Sequence, residues 1–375
     1  MRFVVVLLAV VLVSCGAPVT SPDSGVEPDA GAALDGGAEP TDASVALDAG
    51  LDDAGQADAG GRVDAGLPDD GGLPAEDAGV TDAGPVDAGS TDAGPLDAGP
   101  VDAGVVDAGL MTDGGARVRL IAANLSSGTL QSYSPGHGQR ILQALAGDVV
   151  AIQEFNYGDN SAAALTDFVD DTFTPGVFFH RGSGRIPNGV ISRFPIVDAG
   201  EWNDSRATDR EFTWAVVDAP GPRELFVVSL HLLSTSAANR NAQAVELLQF
   251  MATVPSDLHV VLAGDLNTDG RTEAALGTLG ATVVTTGPWP VDGALPDGGN
   301  GNTSANRGRP YDWVLVSPSL NALQVPVTLE GRAFPSGLVF DTRVFLPLPF
   351  PALIDDSGAN GMQHMAVVRD FVLPR

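Results

Sequence analysis

About a hundred residues of this chain have nothing with which to build a core. From 16 to 115 the sequence is Asp, Ala, Gly, Pro, Val and little else, and Asp-Ala-Gly recurs every five residues at 77, 82, 87, 92, 97, 102 and 107. A five-residue period is shorter than any unit that stacks into a solenoid. Aromatic residues are absent, and 22 acids stand against a single base, Arg62. Scattered small apolar residues and like charge cannot offset the entropy of ordering a chain. Residues 16–115 are therefore expected to form a disordered tether without chemistry of its own. A Gly-rich coil of ~100 residues spans about 50–60 Å, and self-repulsion stretches it further. Any core and any site must lie in residues 116–375, a length suited to one large domain.

The segment before the tether reads as a targeting signal. Arg2 precedes an apolar run from Phe3 to Val13, too short to span a bilayer but suited to a signal peptide. The run ends in Leu12-Val13-Ser14-Cys15-Gly16, which resembles the lipobox cut before its Cys by lipoprotein signal peptidase. Cys15 is the only cysteine in the chain, so no internal disulfide can form. Residues 1–15 are expected to be a lipoprotein signal with Cys15 as the lipidation site. An ordinary signal peptide that happens to carry a Cys is the alternative. Lipidation would tie an extracytoplasmic protein to a bacterial membrane through acyl chains alone, facing the cell surface.

Within 116–375 the pattern alternates strand and helix. Strands are predicted at 117–123, 148–154, 177–179, 189–192, 212–218, 225–232, 260–263, 312–316 and 366–373. Helices are predicted at 137–146, 161–171 and 239–251, where apolar residues recur at helical spacing. Residues 287–309 are rich in Gly, Pro and Asn and should be loop. This mixture implies an α/β fold of two sheets with helices outside. The region has no Lys, and its 17 Arg against 26 acids give a net charge of −9. That argues against a broad basic footprint for nucleic acid but leaves room for a small Arg-lined cleft.

Six of the apolar runs carry, at one end, a side chain able to bind metal or move a proton. They are Asn124, Gln153-Glu154, His231, Asp265 with Asn267, Asp312 and His364. In Leu258-His-Val-Val-Leu-Ala-Gly-Asp-Leu-Asn267, side chains two apart on an extended segment point the same way. Asp265 and Asn267 would thus face one spot suited to a hard cation, a water or a phosphate. Asp and Asn there also make turns, so the pair alone decides nothing.

As an ordered set these residues resemble the endonuclease/exonuclease/phosphatase superfamily, which includes deoxyribonucleases, abasic-site endonucleases and neutral sphingomyelinases. The resemblance covers about 117–373. It rests on Gln153-Glu154, Asn188-Gly-Val-Ile-Ser-Arg-Phe-Pro-Ile196, Ser229-Leu230-His231, Gly264-Asp265-Leu266-Asn267 and His364 before Val-Val-Arg-Asp-Phe. It implies a four-layer α/β sandwich, two packed mixed sheets flanked by helices. It also implies Mg²⁺-dependent phosphoester hydrolysis, with Mn²⁺ or Ca²⁺ as substitutes. Position by position, Glu154 would hold Mg²⁺ and Asn124 would assist. Asp265 would orient or deprotonate water, and Asn267 would hold the phosphate or that water. His231 and His364 would bind phosphate oxygens, and Asp312 would fix the His364 ring. One departure is Gln363, where most of the family has Asp before the last His. It implies weaker Mg²⁺ binding, or compensation from Asp355 or Asp356.

Three functions fit this pattern. The favoured one is an exported, lipid-anchored monomeric phosphodiesterase acting on nucleic acid. The second is a sphingomyelinase-like hydrolase of phospholipid or small phosphoesters, favoured by the acidic domain because a polyanion is repelled there. The third is a binding module that keeps the fold without turnover, suggested by Gln363. Intact Glu154, His231, Asp265 and His364 speak against it.

Overall fold

The computed structural model describes residues 114–293 and 298–375. The signal segment, Cys15 and the Asp-Ala-Gly tether lie outside the described residues.

In chain order the strands and helices are β1 (Gly115–Ala123), α1 (His137–Leu145), β2 (Val149–Ile152), α2 (Ala162–Thr172), β3 (Phe178–Arg181), β4 (Gly189–Ser192) and β5 (Ile196–Trp202). There follow β6 (Phe212–Val217), β7 (Leu225–His231), α3 (Ala237–Met251), β8 (His259–Asp265), α4 (Ala274–Leu279), β9 (Asp312–Val316) and α5 (Pro318–Asn321). The chain closes with β10 (Gln324–Val325), β11 (Val327–Leu329), β12 (Arg332–Phe334), β13 (Leu338–Phe340) and β14 (Ala366–Pro374).

These strands make two mixed sheets. The first has seven strands in the order β10-β14-β1-β2-β4-β3, with β13 also on β14, and the second has five in the order β5-β6-β7-β8-β9. Strands β11 and β12 form a separate ribbon. Side-chain alternation along each strand sorts the core into layers. On β1, Val118, Leu120 and Ala122 join Val227, Val261 and Val314 of the second sheet in one apolar layer. The intervening Ile121 and Ala123 face the opposite way, onto Ile141 and Leu145 of α1 and Phe168 of α2. Beyond the second sheet, Phe226, Val228 and Leu262 pack on Leu247 and Met251 of α3 and Leu276 of α4. The result is the expected sandwich: helices, sheet, sheet, helices.

Local chemistry starts the helices where expected. Ser161 caps α2 by accepting from the Ala164 amide at 3.2 Å, and Ser236 caps α3 by accepting from Asn239 at 3.3 Å. Several elements have no counterpart in the predicted pattern: β5, α4, α5 and β10 to β13.

Parity places the site. Strands β1 and β2 are parallel, as are β7 and β8, while β9 runs antiparallel to β8 and β14 antiparallel to β1. The ends of the first four and the starts of β9 and β14 therefore meet at one edge. His231, Asp265 and Asp312 are register partners on three adjacent strands. They share parity with Val227, Val261 and Val314, and Asn124 shares parity with Val118 and Ala122. The polar cluster continues the layer between the sheets past the point where the strands stop.

Candidate active site

The seven site residues predicted within 116–375 are all buried, and polar contacts join them. Asp265 is the hub. Its Oδ2 accepts from Asn124 Nδ2 at 3.1 Å and from Asn267 Nδ2 at 3.1 Å, and lies 3.3 Å from His231 Nε2 and 3.5 Å from His364 Nε2. Its Oδ1 accepts from the Asn267 backbone N–H at 2.8 Å. Asp312 Oδ2 lies 2.9 Å from His364 Nδ1, and the Tyr311 ring packs 5.5 Å from the imidazole. Asn124 Nδ2 also reaches Glu154 Oε1 at 3.4 Å, and the Ser126 hydroxyl donates to the other Glu154 oxygen.

The backbone is bent to achieve this. Glu154 has φ 53° and Asn267 φ 50°, in the left-handed region. Asn tolerates it; for Glu it is a cost that surrounding contacts must hold in place. Gly264, at φ 137°, has no room for a side chain: a Cβ there would stand 2.2 Å from the Leu230 carbonyl and 2.6 Å from Gln153 Nε2. Gln153 instead donates to Ser229 Oγ at 2.8 Å, and Ser229 donates to the Ile152 carbonyl at 2.9 Å, tying the two sheets beneath the cluster.

Burial and charge set the protonation pattern. Burial pushes Asp265 up to about 7, with nearby Asp312 adding to the rise and His364 opposing it. Burial disfavours a charged His364, but the charges of Asp312 and Asp265 outweigh it and hold the ring up to about 10. Burial, with Arg210 and His364 nearby, pushes His231 well below its ordinary value, so its ring is neutral at pH 7.

Two places could receive a cation. Ligand atoms of Asp265, Asp312 and His364 lie within 4.8 Å of one another. His364 carries a proton on each ring nitrogen in its charged form, which leaves no lone pair for a metal. Glu154 and Asn124, the expected ligands, lie beside this group, with Asn124 Nδ2 3.1 Å from Asp265 Oδ2, and carry the oxygens that a hard ion prefers. Asn124 Oδ1 is buried with no hydrogen-bond partner among the described residues, as are Asp312 Oδ1 and His231 Nδ1.

Some expectations need correction. The Asp356 carboxylate, expected with Asp355 as a substitute for the usual Asp at 363, is engaged by Arg140 and by the Leu353 amide at 2.8 Å. Gln363 itself is exposed, between buried Met362 and His364. The described residues of 287–309 are irregular, as expected, and some of them also support the cluster. Thr303 Oγ1 accepts from the Asp312 N–H at 2.8 Å, and Ser304 bridges the His364 backbone. Ser126 and Tyr133 were missed. The Tyr133 hydroxyl donates to Ala123 O at 2.9 Å and accepts from Leu125 N at 3.1 Å, fixing the turn after β1. Neither follows a strand directly, so strand-end logic could not find them.

Residues 121–336, more than half of the 375-residue chain, match the endonuclease/exonuclease/phosphatase family. The chain belongs to this family. Endonuclease/exonuclease/phosphatase proteins include nucleases, phosphatases and phosphodiesterases, are hydrolases of phosphoester bonds and generally use divalent metal ions. His364 and β14 lie beyond the matched stretch. Among solved structures, the chain is similar to an endonuclease/exonuclease/phosphatase from Beutenbergia cavernae, at 19% identity over 69% of this chain and 72% of that one, with a TM-score of 0.47. It is also similar to the human Nocturnin catalytic domain with bound sulfate, at 15% identity over 68% and 94%, TM-score 0.47. A third is truncated Caenorhabditis elegans TDP2, at 14% identity over 68% and 97%, TM-score 0.43. No curated protein matches the chain.

Proposed function

We propose that the protein is an exported, lipid-anchored, Mg²⁺-dependent phosphodiesterase, acting as a monomer with nucleic acid as the favoured substrate. The observation that carries the reading is the chain Asp312–His364–Asp265, an imidazolium between two carboxylates whose separations are 2.9 and 3.5 Å. When bound by Glu154 and Asn124, a divalent ion supplies Lewis-acid polarisation of a phosphoryl oxygen and neutralises its charge. Asp265, with its carboxyl near 7, is matched to take a proton from the attacking water around neutral pH. Asn267 orients that carboxylate through its backbone and side-chain N–H groups. His364 offers its Nε2 proton to a phosphate oxygen, and Asp312 keeps the ring charged and turned. His231, neutral, keeps Asp265 in place from the other side.

A second reading, hydrolysis of phospholipid or a small phosphoester, draws support from the net charge of −9 on residues 116–375. The full chain should be assayed on plasmid DNA, RNA, sphingomyelin and bis-p-nitrophenyl phosphate, with Mg²⁺ and with EDTA. Turnover that needs Mg²⁺ and is lost in Asp265→Asn is expected. No hydrolysis of any substrate with Mg²⁺, Mn²⁺ or Ca²⁺ would leave only a binding module. For the anchor, Cys15→Ala should move the protein out of the membrane fraction; if it stays there, Cys15 is not the attachment point.

A further inference from the structure

The edge that carries the polar cluster also carries a loop the cluster does not use. Of the nine large apolar side chains exposed among the described residues, five fall within 344–354: Phe350 at 94%, Leu346 at 61%, Val344 and Leu353 at 54% and Ile354 at 45%. The segment reads Val-Phe-Leu-Pro-Leu-Pro-Phe-Pro-Ala-Leu-Ile and has no charged or hydrogen-bonding side chain. Its exposure is built in. Phe345 points inward, 5.2 Å from the Phe340 ring and 5.9 Å from Phe334, and Ala352 is buried. Thr342 Oγ1 donates to the Ile354 carbonyl at 2.9 Å and accepts from the Ser357 amide at 2.9 Å, tying the base of the loop. With the inward places filled and the base tied, the outward side chains have nowhere to fold back. Apolar surface gathered on one rigid loop marks a contact region rather than chance exposure.

The topology aims this loop. Strand β13 is antiparallel to β14, with Phe340 beside Ala366, so the chain leaves β13 where His364 leads into β14. Arg343, at the start of the loop, donates to the Ala305 carbonyl at 3.1 Å and lies 3.6 Å from the Met365 sulfur.

We propose that residues 344–354 form a docking loop that seats in the apolar layer of an electrically neutral phospholipid surface. The outward side chains offer no hydrogen bond for the polar rim of a protein partner. They also include none of the Lys or Arg that draws an interfacial segment to anionic lipid. Asp355 borders the loop at one end, Arg343 at the other is paired with Asp341 at 2.8 Å, and the net charge of −9 on residues 116–375 repels an anionic leaflet. The lipobox-like Cys15 and its tether would keep such a surface within reach. Docking does not depend on hydrolysis. That docking turns Asp265 and His364 toward phosphodiester headgroups does rest on the hydrolytic reading of the site.

The test uses the full chain with Cys15→Ala in every arm, mixed with phosphatidylcholine vesicles. A Phe350→Trp reporter should shift its emission to the blue on vesicle addition and be quenched by brominated phosphatidylcholine. Leu346→Ser combined with Phe350→Ser should lower the bound fraction about tenfold or more, from the apolar area lost. Hydrolysis of bis-p-nitrophenyl phosphate should stay at the parent rate in both, which also reports that they fold. A reporter unmoved by vesicles, or equal binding by the double variant, would overturn the proposal. So would a blue shift that grows with protein concentration without lipid, because a second copy would then cover the loop. Loss of soluble-substrate turnover in the parent would count against the phosphodiesterase reading alone.

Discussion

His364 sits where its charge is maintained by neighbours and resisted by burial. Removing the Asp312 charge should let burial win. Asp312→Asn is expected to lower kcat roughly 10²–10⁴-fold, the usual worth of a positioned proton donor. The alkaline limb of the pH–rate profile should also move down from about 10 toward neutrality. A variant with reduced kcat and an unmoved alkaline limb would mean that another group sets that limb. Glu154 is a different kind of residue. Its neighbours are Ser126 and Asn124, and its backbone is held at φ 53°. Glu154→Gln should leave the fold intact and weaken Mn²⁺ binding, read by electron paramagnetic resonance of the free ion. Unchanged Mn²⁺ affinity would move the ion to the Asp265 and Asp312 side of the cluster.

Among the elements, β8 shows how tightly strand and site are coupled. Its Gly264 takes a conformation foreign to side chains and lies against Gln153 of the other sheet. Gly264→Ala combines backbone strain with overpacking, and should cost about 2–4 kcal/mol, read as a lower urea midpoint. A midpoint within error of the parent would show that the strand relaxes freely there. Buried strands such as β7 and β8 were legible in sequence because both faces are covered and the apolar run is continuous. The polar residue closing each run was legible for the same reason: it interrupts a pattern. Strand β5, Ile-Val-Asp-Ala-Gly-Glu-Trp, was not, because it is an edge strand with no fully buried residue and an irregular register between Ile196 and Asp198. Strands β10 to β13 have two or three residues each, too few for a period to appear. Ser126, Thr303 and Tyr133 were silent because loop positions carry no periodic signal.

At the scale of the whole domain, the cluster ties stability to pH. His364 is raised from 6.5 to about 10, so the stability it contributes is fully present below 6.5 and is lost as pH rises through 10. Asp265 is raised from 3.8 to about 7, so ionising it in the fold costs stability as pH rises from 3.8 through 7. Both act in the same direction. In EDTA, the Tm followed by circular dichroism should fall between pH 7 and 10, above the range in which the lowered His231 acts with the opposite sign, and Mg²⁺ should reduce that fall. A Tm that climbs across this window would contradict the protonation pattern. The cluster also draws on both sheets. Asn124, Glu154 and His364 belong to the seven-stranded side, while His231, Asp265, Asn267 and Asp312 belong to the five-stranded side. The candidate site is therefore a vernier laid across the joint between two sheets, and its halves align only while the sheets keep their register. A change such as Val314→Phe deep in that joint, touching no phosphate, can slide the two scales out of line and silence the centre in a protein that still folds.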